Sequence, residues 1–415
     1  MKAILIAPVI KREGKKEISL ELEELERLCH TAYLETAGSM AVPLDRINSA
    51  FFIGRGKAEE LKDYISEKKI SLAVFNENLN STQQRNLEKA LGVDVIDKTF
   101  LILKIFRQRA RTVEGKLQVE MARLKYGLSR ISGFGEALDQ QHGAIGGKGA
   151  GEKKIEYDRR ALKDKIAFLK ERLEKLRTQR AVQRNERQSV PMPQISIVGY
   201  TNAGKSTLLN ALTGDRHAIY ADDKLFATLD PTTKRVKLGV GSFVLVSDTV
   251  GFINRLPHTL IAAFRATLDE IKYSDLIINL RDLSSPQMEK QADTVKKTLE
   301  EIGAGQIPVI NVFNKTDLVG DPASFKGYFS SYNPVFISAA KGAGLKELTG
   351  EIEKRLSRTW KTYDLKLPFK KHGLIGGIRK AALVTGEKYT GKGLELKILA
   401  TESNYSKIKH LLKQP

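Results

Sequence analysis

A glycine-rich turn between a short apolar run and a helical pattern constrains the fold of this chain more than any other feature. The run at residues 194–198 is β-rich, and leucines recur at helical spacing over residues 208–212. Between them, residues 199–207 read Gly-Tyr-Thr-Asn-Ala-Gly-Lys-Ser-Thr. A strand, such a turn and a helix together cradle phosphates with backbone N–H groups. The pattern therefore predicts a P-loop α/β domain.

The residue types within this turn match the needs of a nucleoside triphosphate. Gly199 and Gly204 keep side chains away from the backbone donors. Lys205 is expected to reach the β and γ phosphates, and the Ser206 hydroxyl is expected to ligate Mg²⁺, a hard cation that prefers oxygen. The candidate phosphate-binding residues in the turn are Gly199, Tyr200, Thr201, Asn202, Ala203, Gly204, Lys205, Ser206 and Thr207.

Two segments after the turn supply further candidates for the metal and the γ phosphate. A strand-like run at residues 243–246 leads to Asp248, whose carboxylate would hold the Mg²⁺ shell, and Gly251 leaves room for its own backbone N–H to face the phosphate. Thr228 lies 23 residues beyond Lys205 as a candidate switch residue, with Thr232 or Thr233 as alternatives. The predicted catalytic residues are Lys205, Thr228, Asp248 and Gly251, and the predicted metal ligands are Ser206, Thr228 and Asp248.

The base is predicted to be guanine. An apolar run at residues 307–313 is followed by Asn-Lys-Thr-Asp, and the carboxylate of Asp317 can accept both N1–H and the exocyclic N2–H of guanine, which adenine does not offer. Residues 334–340 repeat the strand-into-loop pattern, and a backbone N–H near Ser338 and Ala339 is expected to donate to the guanine O6. The candidate base-binding residues are Asn314, Lys315, Asp317, Ser338 and Ala339.

Positive charge is concentrated outside the predicted nucleotide-binding region. The 415-residue chain has a net charge of +20, of which residues 101–190 contribute +11 and residues 361–415 contribute +8. Residues 1–100 carry −1 and residues 191–360 carry +2. Such localisation indicates contact with a polyanion such as RNA, and the alternative is a solvated helical surface.

Cysteine content and hydropathy set the expected compartment. A single cysteine, Cys29, excludes an intramolecular disulfide framework and suits a reducing environment. No run approaches the ~18 to 20 apolar residues that a membrane span needs. We therefore expect a cytoplasmic protein, monomeric and without a stable membrane partner.

The expected organisation is an α/β chain in four parts. These are an N-terminal α/β domain (1–112), a helical hairpin with a glycine-rich loop (113–190), the P-loop GTPase domain (191–360) and a small basic α+β domain (361–415). In the first part the patterns predict strands at 3–9, 71–75 and 93–96 and helices at 17–36, 81–91 and 99–110. In the last part they predict strands at 381–384 and 394–399 and a helix at 405–412.

Two heptad-like stripes predict that the second part is an antiparallel pair of helices. The first stripe contains Leu117, Met121, Leu124, Leu128 and Ile131. The second contains Ile155, Leu162, Ile166, Leu169, Leu173 and Leu176. The glycine-rich loop at residues 143–151 would lie at the tip of this hairpin.

Residues 145–160 make a family resemblance specific. They read Ile-Gly-Gly-Lys-Gly-Ala-Gly-Glu-Lys-Lys-Ile-Glu-Tyr-Asp-Arg-Arg, which resembles the G-x-G-E-x-x-x-E-x-D-R-R signature of HflX-type GTPases. Segments at 226–232 and 248–253 are also similar to that family. The chain departs from the family pattern at Ala150, where proline is usual, and at Gly147 and Lys153, where threonine is usual.

The resemblance implies a GTPase that binds the large ribosomal subunit and its rRNA and splits or rescues ribosomes. It implies that the N-terminal region and the glycine-rich loop enter the intersubunit face of that subunit. The residues that it implicates in ribosome contact are Gly146, Lys148, Gly149, Gly151, Lys153, Arg159 and Arg160. An alternative from the residues alone is a GTP-dependent RNA-binding or RNA-processing factor that acts on another structured RNA.

Two positions suggest how hydrolysis is controlled. Phe252 follows Gly251, where a self-sufficient GTPase often has glutamine to orient the attacking water, so slow intrinsic hydrolysis and stimulation by a partner are expected. Asn202 matches a position that holds a potassium ion near the phosphates in related potassium-dependent GTPases. The expected cofactors are Mg²⁺ and, by this similarity, K⁺.

Overall fold

The computed structural model describes residues 1–10, 15–139, 150–188, 192–214, 225–226, 228–238, 243–254, 268, 270–321 and 324–413. Contacts between residues divide them into two units. The first unit contains residues 1–174 together with Leu225 and Phe226, and the second contains the other described residues from Lys175 onward. Within the described helices, none combines the length and apolar composition that a membrane span needs.

The first unit is built on a parallel four-stranded sheet with the order β2-β1-β3-β4. Its strands are β1 (Lys2–Ile10), β2 (Glu35–Leu44), β3 (Leu72–Phe75) and β4 (Asp94–Asp97). Its helices are α1 (Lys15–Thr31), α2 (Arg55–Lys68), α3 (Ser81–Leu91) and α4 (Lys98–Arg109). Strand β3 is buried along its whole length, as its apolar sequence predicts.

The region after α1 differs from the sequence prediction. The helix was expected to reach residue 36, but it ends at Thr31, and the chain turns at Tyr33, which has a left-handed backbone (φ 57). Strand β2, which the patterns did not predict, begins two residues later. Among the described strands it pairs only with β1, and it is mostly half-buried or exposed, so its sequence lacks the apolar signal of a central strand.

Helices α5 (Val113–Asp139) and α6 (Ala150–Gln188) form the predicted hairpin. Four buried side chains at the predicted spacing, Met121, Leu124, Leu169 and Leu173, pack together between them, with Leu117, Leu162 and Ile166 alongside. The glycine-rich loop was predicted to reach Gly151, but Ala150 and Gly151 already belong to α6. The other residues of the predicted loop, 143–149, lie outside the described residues.

A buried carboxylate ties α5 to the first sheet. Asp97, at the end of β4, accepts a hydrogen bond from the backbone N–H of Phe100 at 2.9 Å and so caps α4. The same carboxylate accepts hydrogen bonds from the Tyr126 hydroxyl, at 2.9 Å, and from the Arg130 guanidinium. Burial and the neighbouring Asp97 charge raise the pKa of Tyr126, so this hydroxyl stays protonated.

Leu225 and Phe226 are buried in the first unit although they lie far along the chain from its other residues. The backbone N–H of Leu225 donates to the Thr31 hydroxyl at 3.2 Å. The Phe226 ring meets the Phe106 ring edge-on, with centroids 4.7 Å apart. Phe226 has a left-handed backbone (φ 56), which is unfavourable for a bulky side chain and requires such packing to hold it.

Six described strands form the sheet of the second unit, in the order β10-β9-β8-β5-β7-β6, with β6 antiparallel to β7. The strands are β5 (Gln194–Gly199), β6 (Thr232–Lys237), β7 (Phe243–Asp248), β8 (Leu276–Asp282), β9 (Val309–Asn314) and β10 (Val335–Phe336). The helices are α7 (Lys205–Thr213), α8 (Met288–Glu301), α9 (Ser324–Tyr328) and α10 (Leu345–Leu356). Because β5, β7 and β9 are parallel, their carboxyl ends, which carry the predicted motifs, meet at one edge.

The C-terminal part is an antiparallel sheet, β11-β13-β12, with two helices. Its elements are β11 (Trp360–Pro368), α11 (Ile375–Ala381), β12 (Leu383–Thr390), β13 (Gly393–Thr401) and α12 (Glu402–Lys413). Strand β11 and helix α11 were not predicted. The strand expected from residue 381 begins at Leu383, because α11 continues through Ala381.

Candidate nucleotide-binding site

The turn from β5 to α7 has no space for larger side chains at its two glycines. Gly204 has φ 94, a conformation that favours glycine, and a Cβ there would overlap the Asn314 amide nitrogen. A Cβ at Gly199 would overlap the backbone oxygen of Leu280 on the neighbouring strand. The turn is therefore wedged against β8 and the loop after β9, which holds its backbone donors in place.

Lys205 is buried at the start of α7, inside the turn. Its Nζ donates to the backbone oxygen of Tyr200 at 2.9 Å and to that of Gly199 at 3.3 Å. Burial lowers the pKa of Lys205 to about 8, and the charge of Asp248 opposes this effect. A phosphate beside a lysine with this pKa would stabilise the charged form of its side chain and raise the pKa again.

Ser206, Thr228 and Asp248 converge at the carboxyl end of β7. The Ser206 hydroxyl donates to Asp248 Oδ2 at 2.6 Å, and the Thr228 hydroxyl donates to the same oxygen at 2.9 Å. The two hydroxyl oxygens are 2.8 Å apart. Burial raises the pKa of Asp248, and Lys205 together with the two hydroxyls opposes this rise.

This cluster fits a divalent metal by its donor chemistry. All three groups are oxygen donors, as Mg²⁺ requires. Asp248 is fully buried, and its Oδ1 has no hydrogen-bond partner among the described residues. A buried carboxylate oxygen without a hydrogen-bond partner has lost its hydration without compensation, and a bound cation would compensate for that loss.

Among the three candidate switch threonines, only Thr228 reaches this cluster. Thr232 is the first residue of β6, and the Thr233 hydroxyl is 2.8 Å from the Ser247 hydroxyl. Their positions in a strand ladder leave them little freedom to respond to a nucleotide. Thr228 lies before β6, so its backbone is not fixed in that way.

The backbone after Asp248 is paired with the P-loop turn. The Phe252 N–H donates to the Gly199 oxygen at 3.1 Å, and the Thr201 N–H donates to the Phe252 oxygen at 2.8 Å. A Cβ at Gly251 would come within 2.9 Å of Lys205 Nζ and of Thr201 Cα, so only glycine fits. The Phe252 side chain is buried in the core that contains Val198, and does not face the cluster.

The predicted base-binding residues form one connected group. The Asn314 amide donates to the Ala203 oxygen at 2.9 Å and accepts from the Ala339 N–H at 2.9 Å, so it joins the P-loop to the loop after β10. The Ser338 hydroxyl donates to Asp317 Oδ1 at 2.6 Å, which orients the carboxylate.

Two details of the base site differ from the sequence expectation. The Ala339 N–H donates to the Asn314 side chain at the end of β9, and the Ser338 N–H donates to the Ala343 oxygen, so both expected donors to guanine O6 already have partners within the protein. Lys315 has a left-handed backbone (φ 64), and its ammonium forms an ion pair with Asp282 at 2.8 Å. The sequence prediction missed Asp282, although it is the last residue of β8 just as Asp248 is the last residue of β7.

Only some of the residues implicated in ribosome contact lie in the described chain. Gly146, Lys148 and Gly149 fall outside it, and Gly151 and Lys153 lie in the first turn of α6. Further along α6, Arg160 is exposed, whereas Arg159 is half-buried and lies 3.9 Å from Glu156.

Comparison with known proteins matches nearly the whole chain. Family models match in three consecutive parts, described as "GTP-binding GTPase N-terminal" (residues 19–107), "GTP-binding GTPase Middle Region" (109–187) and "50S ribosome-binding GTPase" (194–315). A protein named GTPase HflX from Caldanaerobacter subterraneus subsp. tengcongensis is 42% identical over 400 residues, which are 96% of this chain and 91% of that protein. A protein of the same name from Escherichia coli K12 is 40% identical over 354 residues, 84% of this chain and 82% of that one.

Among solved structures, the chain is similar to a GTP-binding protein from the hyperthermophilic archaeon Sulfolobus solfataricus in complex with GDP. The identity is 26%, and the match covers 86% of this chain and 99% of that one, with a TM-score of 0.46.

Proposed function

The chain belongs to the HflX family of GTPases, and from this premise we propose that it couples GTP hydrolysis to binding of the large ribosomal subunit and to the splitting or rescue of ribosomes. That it is a GTP-binding and GTP-hydrolysing protein follows from the family itself. The family model over residues 194–315, described as a 50S ribosome-binding GTPase, supports the choice of partner.

The catalytic step rests on charge placed inside the P-loop turn. Lys205, buried and directed along the turn, neutralises charge that develops on the β and γ phosphates. Ser206, Thr228 and Asp248 would hold Mg²⁺, which would supply positive charge against the negative charge of the phosphates. Asn202 would be the position for a K⁺ ion. Because Gly251 has no side chain, its backbone N–H can lie close to the γ phosphate.

Recognition of guanine rests on the group around Asn314. Asp317 accepts the two N–H groups of the base edge, and the hydroxyl of Ser338 holds its carboxylate at 2.6 Å. Asn314 fixes the spacing between the base and the phosphates, because its amide contacts both loops. The ion pair between Lys315 and Asp282 holds the Lys315 stem along the base site.

Phe252 gives a reason for a ribosome-dependent rate. Its side chain is buried in the core at the position where glutamine often orients the attacking water. No side chain at this position polarises that water, so hydrolysis in the free protein is slow. A ribosomal contact would order the water or the switch residues, as partner proteins do for other GTPases.

One observation carries the choice of a ribosomal partner, namely the location of the charge. Residues 101–190 carry +11 and residues 361–415 carry +8, whereas residues 191–360 carry only +2. The part of the chain that binds the nucleotide is nearly neutral, and the parts on either side of it are strongly basic. This distribution suits a GTPase carried on an RNA surface.

The test measures GTP turnover in potassium buffer with purified large subunits, with small subunits as the specificity control. Strong stimulation by large subunits alone is expected. Sedimentation of intact ribosomes with GTP and with a nonhydrolysable analogue then reports splitting. Absence of stimulation and of cosedimentation contradicts the ribosomal role and favours a factor that acts on another structured RNA.

Two variants make the test specific for the switch. Thr228→Ala removes the hydroxyl that contacts Asp248, and it is expected to abolish the stimulated rate. Thr233→Ala is the matched control, because its hydroxyl contacts only Ser247 among the described residues. Equal loss in the two variants would show that the effect is structural.

A further inference from the structure

The C-terminal domain exposes two aromatic rings that contact the same histidine. Phe369 is 54% exposed and Tyr389 is 65% exposed. The His372 ring lies 5.9 Å from the Phe369 ring and 6.0 Å from the Tyr389 ring, measured between centroids. Single exposed aromatic residues are common on protein surfaces, but here three rings form one group.

The strand register explains why these residues meet. Pro368, the last residue of β11, and Thr390, the last of β12, both pair with Gly393, the first of β13. Phe369 follows the first of these partners directly, and Tyr389 precedes the second. A Cβ at Gly393 would overlap the Leu367 oxygen, so this end of the sheet depends on glycine to bring its strands close together.

Three exposed lysines lie at the same end of the sheet. Lys370 follows Phe369, Lys388 precedes Tyr389, and Lys392 lies in the turn between β12 and β13. None of the three forms an ion pair with a residue that the structure describes, whereas two cations elsewhere on the same sheet and its helix do. Arg379 contacts Glu387 at 2.6 Å, and Lys366 contacts Glu395 at 3.4 Å.

The combination of exposed ring faces and unpaired cations selects one class of partner. A membrane surface would favour exposed aliphatic side chains beside the lysines, and those of this domain are either buried in its core, as Leu367 and Leu394 are, or partly buried against it. An acidic peptide would use the charges and leave the rings unused. An unpaired RNA strand uses both, because bases stack on aromatic faces and phosphates contact lysines.

We propose that this end of the C-terminal domain binds an unpaired RNA strand, with bases stacked on Phe369 and Tyr389 and phosphates held by Lys370, Lys388 and Lys392. The His372 ring lies near both aromatic rings and links them into one surface. Stacking tolerates any base, so the surface recognises single-strandedness and not a sequence. It adds an RNA contact outside the hairpin and does not depend on the proposed ribosomal role.

The test uses the full chain and a fluorescein-labelled oligouridine that contains 4-thiouridine. Phe369→Ala and Tyr389→Ala are each expected to weaken its binding by about fivefold or more, as the loss of a stacked base implies. Tyr328→Ala is the matched control, since that side chain is 72% exposed but lies in the nearly neutral GTPase region. Photo-crosslinks are expected between residues 369 and 392.

Replacement of Lys370, Lys388 and Lys392 by alanine tests the phosphate contacts. The slope of log affinity against log salt is expected to fall by about 2, because each lost phosphate contact on a single strand removes about 0.7. The matched control replaces the exposed lysines Lys296, Lys297 and Lys346 of the GTPase region. Unchanged slope and affinity in the first variant, or crosslinks confined to residues 101–190, overturn the proposal.

Stimulation of GTP turnover by large subunits, measured in parallel, separates the two proposals. Stimulated turnover without crosslinks at residues 369–392 rejects the RNA-stacking surface alone. Crosslinks at these residues without stimulation reject the ribosomal role alone.

Discussion

The residues of the nucleotide site hold each other in place through contacts that cross several loops. Asn314 touches the P-loop, and Asp248 receives hydroxyls from both Ser206 and Thr228. Lys205 lies buried among them. Substitutions here therefore act on several neighbours at once, and the sharpest tests change the chemistry of one group while its size is kept.

Proton uptake is expected when a nucleotide binds to Lys205. Burial lowers its pKa to about 8 in the free protein, and phosphates raise it, so binding must protonate the fraction of Lys205 that is neutral. At pH 8 the uptake is about half a proton, and affinity falls as the pH rises further. Calorimetry in two buffers of different ionisation enthalpy measures it. A wild-type uptake no larger than that of Lys205→Arg, which stays charged, contradicts the prediction.

Asp317→Asn is expected to change the preferred base. The amide donates where guanine also donates, so GTP affinity should fall at least about tenfold, while xanthosine triphosphate, which has an acceptor there, should gain. Competition binding with the two nucleotides measures the switch. Asp321→Asn is the matched control, because that residue is exposed on the same loop. Unchanged GTP preference in Asp317→Asn refutes the assignment.

Potassium is expected to accelerate turnover through Asn202. This residue has a left-handed backbone (φ 62) in the middle of the P-loop turn. If a potassium ion there supplies part of the charge of an arginine finger, turnover in KCl should exceed that in NaCl by roughly tenfold. Asn202→Ala should remove the difference. Equal turnover in KCl and NaCl at matched ionic strength would contradict the prediction that Asn202 holds a potassium ion.

At the scale of elements, a small number of buried side chains along one apolar stripe holds the two helices of the hairpin together. The hairpin core rests on Met121, Leu124, Leu169 and Leu173. The helices carry many charges on their other faces, as the ion pair between Glu120 and Lys165 illustrates. Hydrogen bonding by Arg123 lowers the pKa of Glu120, but such exposed pairs contribute little stability.

Leu169→Ala is expected to destabilise the hairpin by about 2–4 kcal/mol, because it removes a buried side chain from a small core. Phe168→Ala, one position earlier, is the matched control: Phe168 is 57% exposed and should cost less than about 0.5 kcal/mol. Amide hydrogen exchange of α5 and α6 reports the two effects locally. Similar exchange in both variants would show that the predicted stripe does not hold the helices together.

Elements with strong periodicity, an apolar run or a defined cap were predictable from the sequence, and strands without an apolar run were not. Helix α3 has the predicted bounds, 81–91, because Asn80 and Gln83 cap each other reciprocally and Gly92 ends it. Strand β2 lies at a sheet edge and lacks an apolar run, so its sequence resembles the end of a helix. Strand β6 is short and charged and has the same weakness.

The arrangement of the candidate nucleotide site was more predictable than the fold around it. Gly199, Lys205 and Asp248 occupy positions where chemistry restricts the choice of residue, so their spacing is informative. The sequence could not choose among Thr228, Thr232 and Thr233, because that choice depends on where β6 begins. It also could not show that the Ala339 N–H would be taken by Asn314, since this bond joins residues from two loops.

At the scale of the whole molecule, charge and chemistry occupy different segments. The strongly basic residues 101–190 and 361–415 lie on either side of a nearly neutral GTPase region. Salt should therefore act on partner binding and leave the hydrolytic chemistry largely unaffected.

Affinity for the large subunit is expected to fall at least about a hundredfold between 50 and 200 mM salt, because several phosphate contacts are lost together. Intrinsic turnover at saturating GTP should change little over the same range. Sedimentation gives the first quantity and phosphate release gives the second. A flat affinity with a falling turnover would mean that the basic segments do not bind RNA.

Leu225 and Phe226 belong to the first unit but are synthesised well after residues 1–174. When the ribosome has synthesised residues 1–174, Leu225 and Phe226 have not yet been made, so the positions beside Thr31 and Phe106 that they occupy are still empty. The N-terminal unit is therefore unfinished until translation has passed the P-loop. We therefore expect a chain that stalls before Leu225 to leave Thr31 and Phe106 without the contacts that cover them in the complete protein.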